Sequence, residues 1–267
     1  MFQKFIEWST YALFFFLPLF FLPWTTSVLE QSKQLVLVVL AIFALVSWLG
    51  QMVLSKRLSF RAGWLNLVPG LFLIAILVSA ATSYAGYQSW VGQASQEYMS
   101  FLSVAMYVMV FYTFMNNASA SKVQRTILFI LLGAATIAGL LGVLGMLNIV
   151  HLPFDFSQSR GFNTVGTMNG LIVFLTTVMF IGLAMWLVSQ QGRDRVIPRG
   201  SFGNVIRGSI ITITVLNLFA LIAVDFWVFW VVNIFGVLLL AVFGFIQSQE
   251  FPNPKRFALL LVVLLIS

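Results

Sequence analysis

The residues best suited to chemistry in this 267-residue chain lie in one short segment, Ser159-Arg160-Gly161-Phe162-Asn163-Thr164-Val165-Gly166-Thr167-Met168-Asn169. Arg160 leads them. A guanidinium stays charged at any relevant pH and makes paired, charge-assisted hydrogen bonds to phosphate oxygens, so it offers anion binding. The bland alternative is a solvated loop arginine, or one paired with Asp155, and the sequence leaves both readings open. Gly161 and Gly166 have the spacing of a nucleotide phosphate loop. Thr167-Met168 stands where that loop needs Lys followed by Ser or Thr, so the nucleotide reading fails.

The remaining candidates are thinner. Lys33 precedes a long apolar run and reads as a snorkelling anchor, or as a second cation near the same outer face. His151 is the only histidine, and Asp155 four residues on does not make a metal site or a catalytic pair. Asp225 interrupts an apolar stretch and reads as a wetted turn. No cysteine is present, which removes disulfides and thiol chemistry. Neither a metal nor a cofactor is expected.

The elements that must position these residues are membrane helices. Charged residues are 8% of the chain, against about 25% in ordinary soluble domains, and hydrophobic residues are 61%. That leaves too little polar surface to coat a globule in water. A helix needs about 20 mostly apolar residues to cross the hydrocarbon core. Spans are therefore expected near 9–27, 34–54, 64–84, 98–116, 126–148, 168–189, 208–224 and 226–246, with a ninth starting near Phe257 and cut short. The fold expected is all-α: a polytopic helix bundle of eight full spans and a truncated ninth, with 1–267 as a single transmembrane domain. Pro18 is expected to kink the first span. Gly139, Gly142 and Gly145, with Ala135 and Ala138, give the fifth span a face on which neighbouring helices can approach closely.

Charge sets the orientation. Of the 14 Lys and Arg, all but Lys33 and Arg160 fall at the N-terminus or in every second gap between apolar runs. The positive-inside rule then places the N-terminus in the cytoplasm and the segments near 28–33, 85–97, 149–167 and 225 outside. The net charge of +7 is scattered among these gaps and forms no patch for nucleic acid. The basic stretch 193–207 is explained by topology and lipid headgroups. Arg160 opposes the topological bias, which singles it out.

The run Arg160-Gly161-Phe162-Asn163-Thr164-Val165-Gly166-Thr167-Met168-Asn169-Gly170, leading into a span, resembles the Arg-x-x-Gly-Thr-x-Asn-x pattern of the O-antigen ligase and polymerase-like family. Leu17-Pro18-Leu19 through Glu30 and Lys33 is similar to that family's opening. Met168-Asn169 departs from the Pro-Asn more usual there. The resemblance implies a metal-independent membrane glycosyltransferase of the bacterial inner membrane, serving cell-surface polysaccharide biosynthesis. It would take glycan from a polyprenyl-diphosphate (undecaprenyl-type) donor and pass it to an acceptor on the outer face. On the matching positions it implies that Arg160 holds the donor diphosphate, with Asn163, Thr167 and Asn169 beside it and Lys33 as a further cation. The family's general base and additional arginines lie in a late outer loop, so no catalytic residue is assigned here. The chain is expected to be the N-terminal portion of a longer protein and inactive alone. Two rivals remain: a lipid-linked glycan flippase or other transporter, and the membrane part of a sensor. A transporter would be expected to place polar or ionisable groups at mid-span, and few are visible.

Overall fold

The structure is a computed structural model that describes residues 2–25, 28–56, 60, 63, 66–93, 97–118, 120–150, 153–188 and 196–246. The expected ninth span and His151 lie outside these residues. Among the described residues every regular element is a helix: α1 (Phe2–Leu19), α2 (Glu30–Ser55), α3 (Leu67–Ala81), α4 (Gly86–Trp90), α5 (Phe101–Asn117), α6 (Ser121–Met146), α7 (Met168–Val188), α8 (Ser201–Val224) and α9 (Trp227–Ile246). Four stretches are long and apolar enough to cross a membrane by length and composition: Glu30–Ser55, Ser121–Met146, Met168–Leu187 and Ser201–Val224. Three shorter apolar helices join them, Leu67–Ala81, Phe101–Asn117 and Trp227–Phe243.

The surface of these helices is inverted relative to a protein in water. Val39, Ile42, Phe43, Val46, Leu49 and Val53 of α2 point outward, as do Ile211, Val215 and Ile222 of α8. Ser32, Ser47, Thr113, Thr176, Asn217 and Asn233 are buried. A monomer in water rarely shows so wide an apolar face, whereas lipid needs no polar cover. Hydroxyls are handled in the way a dry solvent demands. Thr10, Thr82, Thr126, Thr136, Thr177 and Thr214 each donate to the carbonyl four residues back at 2.8–3.0 Å, which satisfies the group within its own helix.

The chain falls into two compact units, Met1–Ile130 and Leu131–Ser267. In the first, α1 packs along α2, and α2 along α5. Leu13, Leu37, Ala41 and Met106 form its buried centre. The first helix differs from expectation. It begins at Phe2 and ends at Leu19, so Pro18 sits in its last turn. At the start of α2 the Gln34 amide nitrogen reaches Val91 O at 2.8 Å, Ser103 Oγ at 3.0 Å and Ser100 Oγ at 3.1 Å. That amide fastens α2 to the segment after α4 and to the start of α5.

In the second unit α7 packs against α8 and α9. The glycines of α6 act as the sequence predicts, as seats for larger neighbours. A Cβ on Gly139 would stand 3.0 Å from both Leu175 and Leu216, and one on Gly142 would stand 2.5 Å from Leu171. The break between α8 and α9 falls at Asp225, whose left-handed backbone (φ 46°, ψ 47°) ends α8. This is the hairpin that the single interrupting Asp predicts.

The tightest approach lies at the start of α8. A Cβ on Gly203 would meet the Pro198 carbonyl oxygen at 1.9 Å and its carbon at 2.9 Å. Main chain cannot swing aside as a flexible side chain can. Gly203→Ala is therefore expected to unseat the 196–200 turn, including the buried Ile197, and to destabilise the protein by about 2 kcal/mol or more. Thermal unfolding in detergent checks this, with Gly208→Ala as the control, since nothing lies within 4 Å of a Cβ at Gly208.

Candidate functional site: the loop between α6 and α7

The loop carrying Arg160 is built from local hydrogen bonds, most of them traceable to particular residues. It leaves α6 through Asn148, in the left-handed conformation at φ 61°. Asn148 N donates to Gly145 O at 3.0 Å, and Ile149 N to Leu144 O at 3.0 Å. These bonds satisfy carbonyls at the helix end, and Asn is one of the few side-chain-bearing residues at ease there. Asp155–Gln158 then forms one 3-10 turn. Ser157 is buried within it, and its hydroxyl donates to Phe154 O at 2.7 Å. Phe154 stacks on Phe156 with ring centres 5.3 Å apart, and Phe162 meets Phe156 edge-on at 5.5 Å. These rings give the loop an apolar brace of its own.

Arg160 stands at the corner of the next turn. Phe162 N donates to Ser159 O at 3.0 Å, so Arg160 and Gly161 are the two central residues. The Arg160 side chain is exposed. Among the described residues no ion pair joins it to Asp155, which is exposed on the same loop.

Asn163 closes the loop. It is completely buried. Its Oδ1 accepts from Val165 N and Gly166 N, both at 3.0 Å. Its Nδ2 lies 3.1 Å from Gly166 O and 3.3 Å from Gly161 O and Met168 Sδ. One amide thus joins the Arg160 turn to the start of α7. The Cβ of Asn163 lies 3.2 Å from where a Cβ on Gly142 would stand, so the smallness of Gly142 lets the loop sit against α6. Gly166 has φ 137°, a conformation closed to side-chain-bearing residues without strain. Thr167 then caps α7: its Oγ1 accepts from Gly170 N at 3.0 Å. This is the usual side-chain cap to the third helical residue. Asn169 lies in the first turn of α7 and is exposed.

Four of the five residues proposed from the sequence therefore lie together on the loop and the first turn of α7, in different roles. Arg160 and Asn169 present exposed side chains, Thr167 caps the helix, and the Asn163 amide is engaged by the loop itself. Lys33 belongs to the other unit, half-buried on α2 one turn after Glu30. Chemically, the loop offers one exposed guanidinium on a braced turn that continues into a capped helix N-terminus. Anions are favoured beside such an end, where the backbone N–H groups are unspent. Sequence reasoning missed one further group, the buried trio Thr176, Asn217 and Asn233 of α7, α8 and α9. Asn217 and Asn233 could have been noticed because they stand eight residues before and after Asp225. No family model, curated protein or solved structure matches this chain.

Proposed function

We propose that the chain is an O-antigen ligase or polymerase-like membrane protein, and that its α6–α7 loop binds the diphosphate of a polyprenyl-linked glycan donor at the outer face of the bacterial inner membrane. The observation that carries this reading is Arg160: exposed, at the corner of a turn, on a loop tied by Asn163 to the start of α7. The braced turn fixes the backbone that carries Arg160, so only the side chain remains to be ordered around an anion. It would also stabilise the charge that develops as a lipid diphosphate departs. Asn163 and Thr167 act here by shaping the loop, and Asn169 and Lys33 are secondary candidates for donor contact. The acceptor and its general base are assigned to no residue of this chain.

The direct experiment is donor capture. The protein in vesicles is challenged with a photoreactive polyprenyl-diphosphate glycan, with the polyprenyl monophosphate as competitor. Cross-linking within residues 153–170, displaced poorly by the monophosphate, is the expected result. Cross-linking confined to other segments would overturn the assignment of this loop.

The same proposal includes eight spans with the N-terminus inside. Exposed aromatic residues near helix ends support the position of the spans in the bilayer: Trp24, Tyr84, Tyr87, Tyr98 and Trp227 at one set of ends and Trp8 at the other, with sidedness resting on the charge pattern alone. Such rings favour the headgroup level. Because the chain lacks cysteine, single thiols report sidedness. Ser157 is a poor probe site because it is buried, but Ser159, Ser121 and Ser201 are exposed. Cys at 159 is expected to react with an impermeant maleimide in intact cells. Cys at 121 and at 201 should react only after permeabilisation. Labelling of 201 from outside would reverse the orientation.

A further inference from the structure

Three neutral polar side chains from three helices meet inside the second unit. Thr176 Oγ1 donates to Asn217 Oδ1 at 3.0 Å, Asn217 Nδ2 donates to Asn233 Oδ1 at 3.0 Å, and Asn233 Nδ2 donates back to Thr176 Oγ1 at 3.3 Å. The ring is closed. Its two remaining amide protons also have acceptors, Phe229 O at 2.9 Å and Met179 Sδ at 3.5 Å. Thr176, Asn217 and Asn233 are 5%, 0% and 3% exposed, so none of them is in reach of lipid headgroups or water.

Depth sharpens the argument. Thr176 is eight residues from the start of α7, Asn217 eight before the Asp225 turn, and Asn233 eight after it. At 1.5 Å per residue they lie about 12, 10 and 9 Å from their near helix ends. That is well inside a hydrocarbon layer about 30 Å thick. Every donor proton of the ring is in use, so each of its polar hydrogens is satisfied within the protein. Its bonds run between helices, and each depends on the other two.

We propose that Thr176, Asn217 and Asn233 form a register lock, selecting one axial and rotational setting of α7, α8 and α9. Apolar contact alone does this poorly in lipid. A helix that slides by one turn exchanges one Leu or Val contact for another at little cost. The same slide leaves three buried polar groups without partners, and that penalty has no compensation in a dry environment. A single buried Asn fixes the register of coiled coils by the same discrimination. A second register device lies beside the ring: the Phe180 ring seats on Gly236, where a Cβ would stand 2.3 Å from it. The lock is independent of the function proposed for the α6–α7 loop.

The test uses thiol pairs in the whole chain in native membranes. Cys at 180 is paired in turn with Cys at 232, 236 and 240, and a short bifunctional reagent reports which pair lies close. The substitution at 180 removes the Phe180 ring in every pair, leaving the polar ring as the determinant under test. With the ring intact, the 180–236 pair is expected to dominate the products. In T176V/N217L/N233L, the yields are expected to spread to 232 or 240 at the expense of 236. An unchanged 236 preference would overturn the proposal. Should the triple variant fail to insert, Thr176→Ser and Thr176→Val decide the matter. Ser keeps the hydroxyl and should keep the 236 preference, while Val should lose it. Equal patterns from Ser and Val would also overturn the lock. In detergent, single Asn217→Leu is expected to lower the unfolding midpoint by roughly 4 °C or more. The triple variant should recover part of that loss, because no unpaired partner is left behind. Strictly additive losses would again count against it.

Discussion

On the proposed donor-binding role of the α6–α7 loop, Arg160→Ala introduced into the full-length natural protein is expected to lower glycan transfer about a hundredfold while insertion and abundance stay at wild-type levels. The side chain is exposed at a turn corner, and among the described residues it makes no hydrogen bond or ion pair on which the fold depends, so its removal leaves the loop's own bonds in place. On that proposed role, what is lost is a cation whose interaction would strengthen as negative charge gathers on a leaving diphosphate. Arg160→Lys should restore only part of the rate, since a point charge cannot reproduce the two-pronged guanidinium contact. Lys33→Ala should matter less. Its α2 segment is already fastened through Gln34 to Val91, Ser100 and Ser103. Transfer assayed in membranes at matched protein levels decides the issue, and wild-type turnover in Arg160→Ala would return the residue to an ordinary solvated arginine.

A second large effect is expected at Asn163. Leucine there would remove the buried Oδ1 that accepts from Val165 N and Gly166 N. Loss of both bonds costs about 3 kcal/mol, enough to open a single loop. Hydrogen exchange at residues 165 and 166 should then speed up by about a hundredfold, since 1.4 kcal/mol is a factor of ten. Donor capture should fall with it, although Arg160 is still present. Asn163→Asp keeps the acceptor and loses the donor toward Gly161 O and Gly166 O, so its effect should lie between. Full protection of both amides in Asn163→Leu would show that the loop is held by other means, such as its aromatic brace.

These two residues also mark the limit of what the sequence disclosed. Arg160 was legible because its charge opposes a pattern that every neighbouring gap obeys. The start of α7 was legible because Gly166-Thr167 precedes an unbroken apolar run, and the Asp225 hairpin because one charge splits a run too long for one crossing. Asn163 was named for the wrong property: composition shows an amide near an arginine, not that its bonds turn inward. Thr176, Asn217 and Asn233 were passed over because each is alone among apolar neighbours in its own helix. Only the packing of α7, α8 and α9 brings them together. The boundaries of α1 shifted for a related reason. Hydropathy places the first span near 9–27, whereas the backbone already forms helix from Phe2 through the polar first turns.

The outward Val, Ile, Leu and Phe of α2, α8 and α9, set against inward Gly, Ser, Thr and Asn, imply an unusual profile of mutational tolerance. Lipid is fluid and has no fixed shape, so exterior positions should accept any greasy residue of any volume and reject only charge. Interior positions face fixed neighbours at close range, so a single added methyl group at Gly142 or Gly236 should be felt more than a change of polarity elsewhere. A saturation scan of this chain would then separate into two alphabets, one read by charge and the other by volume. The boundary between them would trace the line where protein ends and membrane begins.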